Sequence, residues 1–247
     1  MIGKREKVVL VTGAARRIGA SIARLFHRAD YLLIIHYNQS ASAADKLCEE
    51  LNQQRSDSCL MVQADLSSST GIDKIIKLVS DIGRLDILVN NASSFYPTPV
   101  EQCNQAQWDE LIGSNLKGPF FLTQRLSALL TTANGSVVNI SDMHARQALT
   151  NYPIYSIAKG GNIAMTKALA LELAPAVRVN SVAPGAILWP QQEQNNIEKH
   201  KAVLSKVPLQ RSGAESDIAE AVYFLAVKAT YMTGQTLAVD GGSSTSL

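Results

Sequence analysis

The chain has 247 residues, 46% hydrophobic and 18% charged, which is enough apolar side chain for one large α/β domain and too little charge for a disordered chain. Its 23 basic residues against 21 acidic ones leave a net charge of +2 without a basic block, so the electrostatic footprint of a nucleic-acid binder is missing. No apolar run approaches the roughly 18 residues needed to cross a bilayer. The opening MIGKREKVVLVTG runs from a few charges straight into a strand, which predicts a soluble, cytoplasmic protein with no membrane partner.

In chain order, the first β-branched run, 7–12, leads into Thr12-Gly13-Ala14-Ala15-Arg16-Arg17-Ile18-Gly19 and a helix over 18–26. Glycine allows a tight turn and a close backbone approach, and the helix N-terminus offers free N–H groups to a pyrophosphate. Gly13, Arg17 and Ile18 are therefore candidate cofactor contacts. The second strand, 31–36, ends in His36-Tyr37-Asn38-Gln39-Ser40, with no carboxylate to hold a ribose 2′-hydroxyl. Ser40 can cap the helix beginning at Ala41, whose apolar spacing runs over 43–51, and a 2′-phosphate can sit there with Arg17 and His36 as donors. The pattern favours NADPH over NADH; the bland alternative is a simple N-cap beside a packed histidine.

A third strand, 59–63, precedes Asp65-Leu66 and a helix over 72–79. A fourth, 85–90, precedes Asn91-Ala92-Ser93-Ser94-Phe95-Tyr96-Pro97. Both stretches suit adenine and ribose contacts or plain turn chemistry. A long helix is expected over 108–130, carrying Asn115, and a fifth strand over 136–140, followed by Asp142. The helix over 154–173 puts Tyr155 and Lys159 a turn apart on one face. An ammonium beside a phenol stabilises the phenolate and makes Tyr155 a general acid. A sixth strand, 177–182, runs to Pro184-Gly185 and Ile187. The polar stretch 189–206 reads as an irregular insertion and a possible substrate lid, before a seventh strand over 236–240. The three cysteines, Cys48, Cys59 and Cys103, lack CxxC spacing, which suits reduced thiols and no metal site.

Strands apolar on consecutive positions, alternating with helices, predict a parallel sheet covered on both faces. The expectation is one α/β domain over 1–247, doubly wound, with a mostly seven-stranded parallel sheet. Ligands in such sheets bind beyond the carboxyl ends of the strands, where these motifs gather.

Thr12-Gly13, Asn90-Asn91-Ala92, Asn115, Tyr155-x-x-x-Lys159, Pro184-Gly185 and Asp240-Gly241-Gly242 stand in the order and spacing of the short-chain dehydrogenase/reductase family, which the chain resembles over its whole length. The resemblance implies a Rossmann-type fold in which Lys159 also grips the nicotinamide ribose. It further implies that Asn115 holds a proton-relay water and that Pro184, Gly185 and Ile187 line the nicotinamide. Two departures narrow it: Arg17 replaces the second glycine of TGxxxGxG, and Asp142 stands thirteen residues before the tyrosine, where a catalytic serine is usual. Both, with His36-Tyr37, the 91–97 segment and Tyr152-x-x-Tyr155, resemble the pteridine reductases.

A pterin is flat, with a hydrogen-bonding rim. Phe95 suits one side of a sandwich with the nicotinamide on the other, and Arg17 and Ser93 suit the rim. Asp142 and Tyr155 together suit proton delivery to a ring nitrogen; the plainer role for Asp142 is a turn cap. Leu188, Trp189 and Tyr152 lie near the expected pocket. The predicted activity is NADPH-dependent reduction of dihydropterins, with oxidised pterins or dihydrofolate as further substrates. The rivals are an ordinary ketone reductase and a non-catalytic NADP-binding module. The helices over 108–130 and 154–173 are apolar around much of their circumference, and the resemblance implies that they pair between subunits of a homotetramer.

Overall fold

The computed structural model describes residues 6–187 and 197–245; Leu188, Trp189 and the first part of the expected lid lie outside the described residues. All seven expected strands form, as β1 (Val8–Val11), β2 (Leu32–Tyr37), β3 (Cys59–Gln63), β4 (Ile87–Asn90), β5 (Ser136–Ile140), β6 (Arg178–Pro184) and β7 (Thr236–Val239). They make one parallel sheet in the order β3-β2-β1-β4-β5-β6-β7, the Rossmann-type α/β architecture. The order reverses beside β1, where Val11 is flanked by Ile35 of β2 and Val89 of β4. Open α/β sheets form their ligand crevice at such a switch point, because the connections on its two sides depart in opposite directions.

Side chains alternate across each strand and divide the core in two. Val9, Val11, Leu33 and Ile35 face a cluster built with α1 (Arg17–Arg28), α2 (Ala41–Gln54) and α8 (Glu215–Tyr223). Val8, Leu10, Ile34 and Leu88 face another built with α3 (Ser69–Ile82), α5 (Gly118–Thr132) and α6 (Pro153–Glu172). Phe26, wholly buried on α1, meets Tyr31 edge-on and Tyr223 at a tilt, each with ring centroids 5.3 Å apart. Such a phenylalanine stabilises the fold by about 2–3 kcal/mol.

Two expectations need correction, and one further helix is present. The helix foreseen over 108–130 is α4 (Gln105–Ile112), a π-helical turn at Gly113–Lys117, and then α5. Pro119 explains the break: it has no N–H for the Asn115 carbonyl, which an α-helical ladder would need. The stretch 189–206 is not irregular throughout, since Ile197–Leu204 forms α7 with Glu198 in its first turn and Lys201 in its last, both favourable to the helix dipole. Helix α8 was not foreseen. Its start is fixed by the Asp217 carboxylate accepting from the Ala214 N–H at 2.8 Å, and its buried stripe is Ile218, Ala219 and Val222.

Candidate active site

The switch point is closed by hydrogen bonds between β1 and the segment after β4. Thr12 Oγ1 accepts from the backbone N–H groups of Asn91 and Ala92, at 2.9 and 3.0 Å, and the Asn91 amide donates to the carbonyls of Thr12 and Gly13. Gly13 has φ +62°, and a Cβ there would stand 2.8 Å from the Ala92 Cα; one on Gly19 would strike the Gly13 carbonyl. This cradle brings bare backbone to the N-terminus of α1, where the first-turn N–H groups have no intrahelical partner, and it fits a dinucleotide pyrophosphate. Arg17, the first residue of α1, is exposed and has φ +55°. A left-handed arginine at the mouth of a ligand cradle is a strained conformation of the kind that gathers at functional sites.

The reaction end lies beyond β4 and β5. Asp142 opens a short 3₁₀ turn, Met143–Ala145: one carboxylate oxygen accepts from the His144 N–H at 2.8 Å and the other from the Tyr155 hydroxyl at 2.6 Å. It is thus both a cap and the partner of the phenol. Ser141, the serine beside it, does not take the missing serine's place, since its hydroxyl donates to the Val182 carbonyl and accepts from Ser181. Burial, then the charge and hydrogen bond of Asp142, raise the Tyr155 pKa well above the ordinary phenol value, while a hydrogen bond with Ser93 lowers it. Burial and Asp142 thus work against the acidifying pull expected of Lys159.

Lys159 is 2% exposed, with its ammonium donating to the Ile140 carbonyl at 2.9 Å and standing 5.6 Å from the centre of the Tyr155 ring. Burial lowers its pKa to about 8, against the opposing pull of Asp142. Asn115, on the π-turn, accepts from the Ser93 hydroxyl at 2.6 Å and donates to the carbonyls of Ser94 and Leu111, each at 3.0 Å. The backbone of the 91–104 segment is tied to the turn before α6 by the Thr98 N–H donating to the Asn151 carbonyl at 2.7 Å. That tie lays Phe95 face-on against Tyr152, centroids 4.7 Å apart and planes 10° apart, and edge-on to Tyr155 at 4.8 Å. Phe95 remains 46% exposed. Its stacking partner is Tyr152, so one face of the ring foreseen for a sandwich is already covered.

A family model described as enoyl-(acyl carrier protein) reductase matches residues 13–244. The chain is 36% identical to pteridine reductase 1 of Leishmania tarentolae over 279 aligned positions, covering 96% of each protein. It is equally, 36%, identical to a 3-oxoacyl-[acyl-carrier-protein] reductase of Staphylococcus aureus, covering 97% of this chain and 98% of the relative. An oxidoreductase of Bacillus subtilis follows at 33%. The chain belongs to the short-chain dehydrogenase/reductase family. It is accordingly an oxidoreductase of the nicotinamide-dependent kind.

Not every expected residue of this short-chain reductase reaches the site as foreseen. His36 is buried between β1 and β3. Its Nδ1 accepts from the Gly13 N–H at 3.1 Å and its Nε2 donates to the Ala64 carbonyl at 3.0 Å, so neither nitrogen is left to donate to a 2′-phosphate. Burial lowers its pKa to about 4, and it shapes the cradle as a neutral ring. Ser40 precedes α2, but its hydroxyl caps no backbone N–H. Tyr37 and Leu66 are buried, Asn38 is exposed, and Asp65 accepts from the N–H and hydroxyl of Ser67 as a turn residue does. Pro184 ends β6, with the Gly185 N–H donating to the Val239 carbonyl and Ile187 buried behind it.

Sequence reasoning passed over a buried polar ladder under the site: Asn90 donates to Thr123 and Asn139, Asn139 to Thr166, and Asn162 to the Asn115 carbonyl. The signal was present in asparagines on otherwise apolar strands and in the seven-residue step from Tyr155 to Asn162. Among the described residues no cluster of His, Cys, Asp or Glu suits a metal ion, and no helix is long and apolar enough to cross a membrane.

Proposed function

We propose that this short-chain reductase uses NADPH to reduce dihydropterins, with oxidised pterins or dihydrofolate as further substrates. The observation that carries the reading is the carboxylate of Asp142 bonded at 2.6 Å to the Tyr155 hydroxyl, where a ketone reductase of this family carries a hydroxyl donor. An ionised carboxylate cannot donate to a substrate carbonyl. It can hold a proton between itself and a phenol for a basic ring nitrogen. Phe95 and Tyr152 offer aromatic faces within a ring's breadth of that proton, and Arg17 and Ser93 offer polar groups for a pterin edge.

When bound, the nicotinamide supplies the hydride. The chain's own residues do the rest: Gly13, Ile18, Asn91 and Ala92 would hold the pyrophosphate side, and Lys159, Pro184, Gly185 and Ile187 the nicotinamide side. Asn38, Ser40, Asp65 and Arg17 would hold the adenosine side. Tyr155 delivers the proton, Asp142 orients it, and Asn115 fixes Ser93 beneath it. The proposed unit is one domain over 1–247, in which the 189–206 stretch closes over substrate. Exposed Trp108, Phe120, Phe121, Ile157 and Leu171 on α4, α5 and α6 suit subunit contacts of a homotetramer, and three unpaired cysteines suit the cytoplasm.

A second reading, reduction of 3-oxoacyl thioesters, is favoured by the equal identity to the staphylococcal reductase. One assay separates the two: NADPH oxidation followed with dihydrobiopterin, dihydromonapterin, dihydrofolate and a panel of simple ketones and acetoacetyl thioesters, with Tyr155→Phe as control. Turnover of dihydropterins at least tenfold above the ketones is expected. Preference for the ketones or thioesters would refute the pterin reading.

A further inference from the structure

Tyr155, Lys159 and Asn162 occupy positions i, i+4 and i+7 of α6, a single stripe of the helix. Asn162 is 1% exposed, yet nothing in the chemistry above uses it. A carboxamide has two donors and an acceptor oxygen to satisfy, so its presence on a core-facing stripe needs a cause. One cause is visible: its Nδ2 donates to the main-chain carbonyl of Asn115 at 3.2 Å. That carbonyl is released from the α-helical pattern because Pro119 has no N–H. A carbonyl only accepts, which fixes the amide nitrogen toward Asn115 and the oxygen away from it.

The oxygen is the second observation. Asn162 Oδ1 is buried and has no hydrogen-bond partner within the protein, and buried polar atoms of this kind are where internal waters lodge. Three residues back on the same stripe, the Lys159 ammonium has three donors and gives one to the Ile140 carbonyl.

We propose that Asn162 is a positioning residue of the proton path: its amide holds the Asn115 carbonyl at the π-turn, and its Oδ1 accepts from a buried water that resupplies Lys159. This rests on the reductase reading. As the Tyr155 phenol passes its proton to substrate, the Lys159 ammonium, bonded to the Ile140 carbonyl and 5.6 Å from the centre of that ring, returns one to the phenolate through a bridging hydroxyl or water. The water then gives one to the neutral amine and takes one from solvent. One proton enters from bulk per turnover, and no bond to Asn162 is made or broken.

Two variants of opposite electrostatic sense provide the test. Asn162→Leu removes the acceptor, lowers the Lys159 pKa, and is expected to cut kcat roughly tenfold while moving the alkaline limb of the kcat profile to lower pH and leaving the KM for NADPH within about twofold. Asn162→Asp places a negative charge near the ammonium and should move that limb to higher pH. Denaturation of the cofactor-free protein against pH reads the same ionisation without turnover, and serves if one variant folds poorly. A limb unmoved by either substitution, with wild-type turnover intact, overturns the role of Asn162 alone. A wild-type protein that oxidises no NADPH with any substrate of the panel overturns the reductase reading and this assignment with it.

Discussion

The two ends of the site are built differently. At the reaction end the side chains assigned to the chemistry are bonded within the protein: Tyr155 to Asp142, Lys159 to Ile140, Ser93 to Asn115. At the proposed adenosine end Arg17, Asn38 and Gln39 are exposed, and Ser40 caps nothing. Preorganised dipoles cost no rearrangement as charge develops, which suits the proton transfer proposed for the reaction end. The exposed side chains of the other end would have to be ordered by the cofactor itself. Changes at the first end should therefore strike turnover, and changes at the second, cofactor choice.

The largest effect is expected from Tyr155→Phe, which removes the proton donor and should lower kcat by roughly 10²–10⁴ with NADPH binding, read by fluorescence titration, nearly unchanged. Loss of NADPH affinity on the same scale would erase the contrast between the ends. Asp142→Asn comes next: a drop of about 10² in kcat on dihydropterin is expected if the carboxylate shares the proton, and a loss under fivefold would reduce Asp142 to a turn cap. Asp142→Ser sharpens this, since it should harm dihydropterin turnover more than ketone turnover in a side-by-side assay.

A third test reads the energy stored at the reaction end. Folded Lys159 releases its proton near 8, whereas an unfolded lysine does so near 10.4. Between those values the unfolded chain binds more protons, so stability rises with pH, by about 3 kcal/mol for a full shift of this size. Urea denaturation at pH 7.5 and at 10.5 should show that gain in the cofactor-free wild type relative to Lys159→Met; parallel curves would mean that the ammonium is not penalised by burial. The smallest effect belongs to the other end. Ser40→Ala should leave stability within about 0.5 kcal/mol, because the hydroxyl caps nothing, and lower the NADPH-over-NADH preference a few-fold. An unchanged preference would remove Ser40 from the phosphate site.

The strands were legible because a parallel strand buried on both faces leaves an unbroken β-branched run, and all seven such runs became strands. Tyr155 and Lys159 were legible because helical spacing alone puts them on one face. The 113–117 π-turn was not, because a proline such as Pro119 is also tolerated in the first turn of an ordinary helix. Helix α8 was missed for a similar reason: it is short, and its buried stripe makes sense only against Phe26 of α1.

By itself the sequence determined periodicity, the glycine cradle and the chemical kinds of side chain at the strand ends, since these depend on neighbours along the chain. Only the tertiary structure decided what each polar atom bonds to. It turned His36 from a phosphate donor into a neutral prop for Gly13, joined Asp142 to Tyr155, and set Asn162 under Asn115. Hydrogen bonds depend on distances of a few tenths of an ångström between residues 13 to 47 positions apart, and no local pattern encodes such a distance.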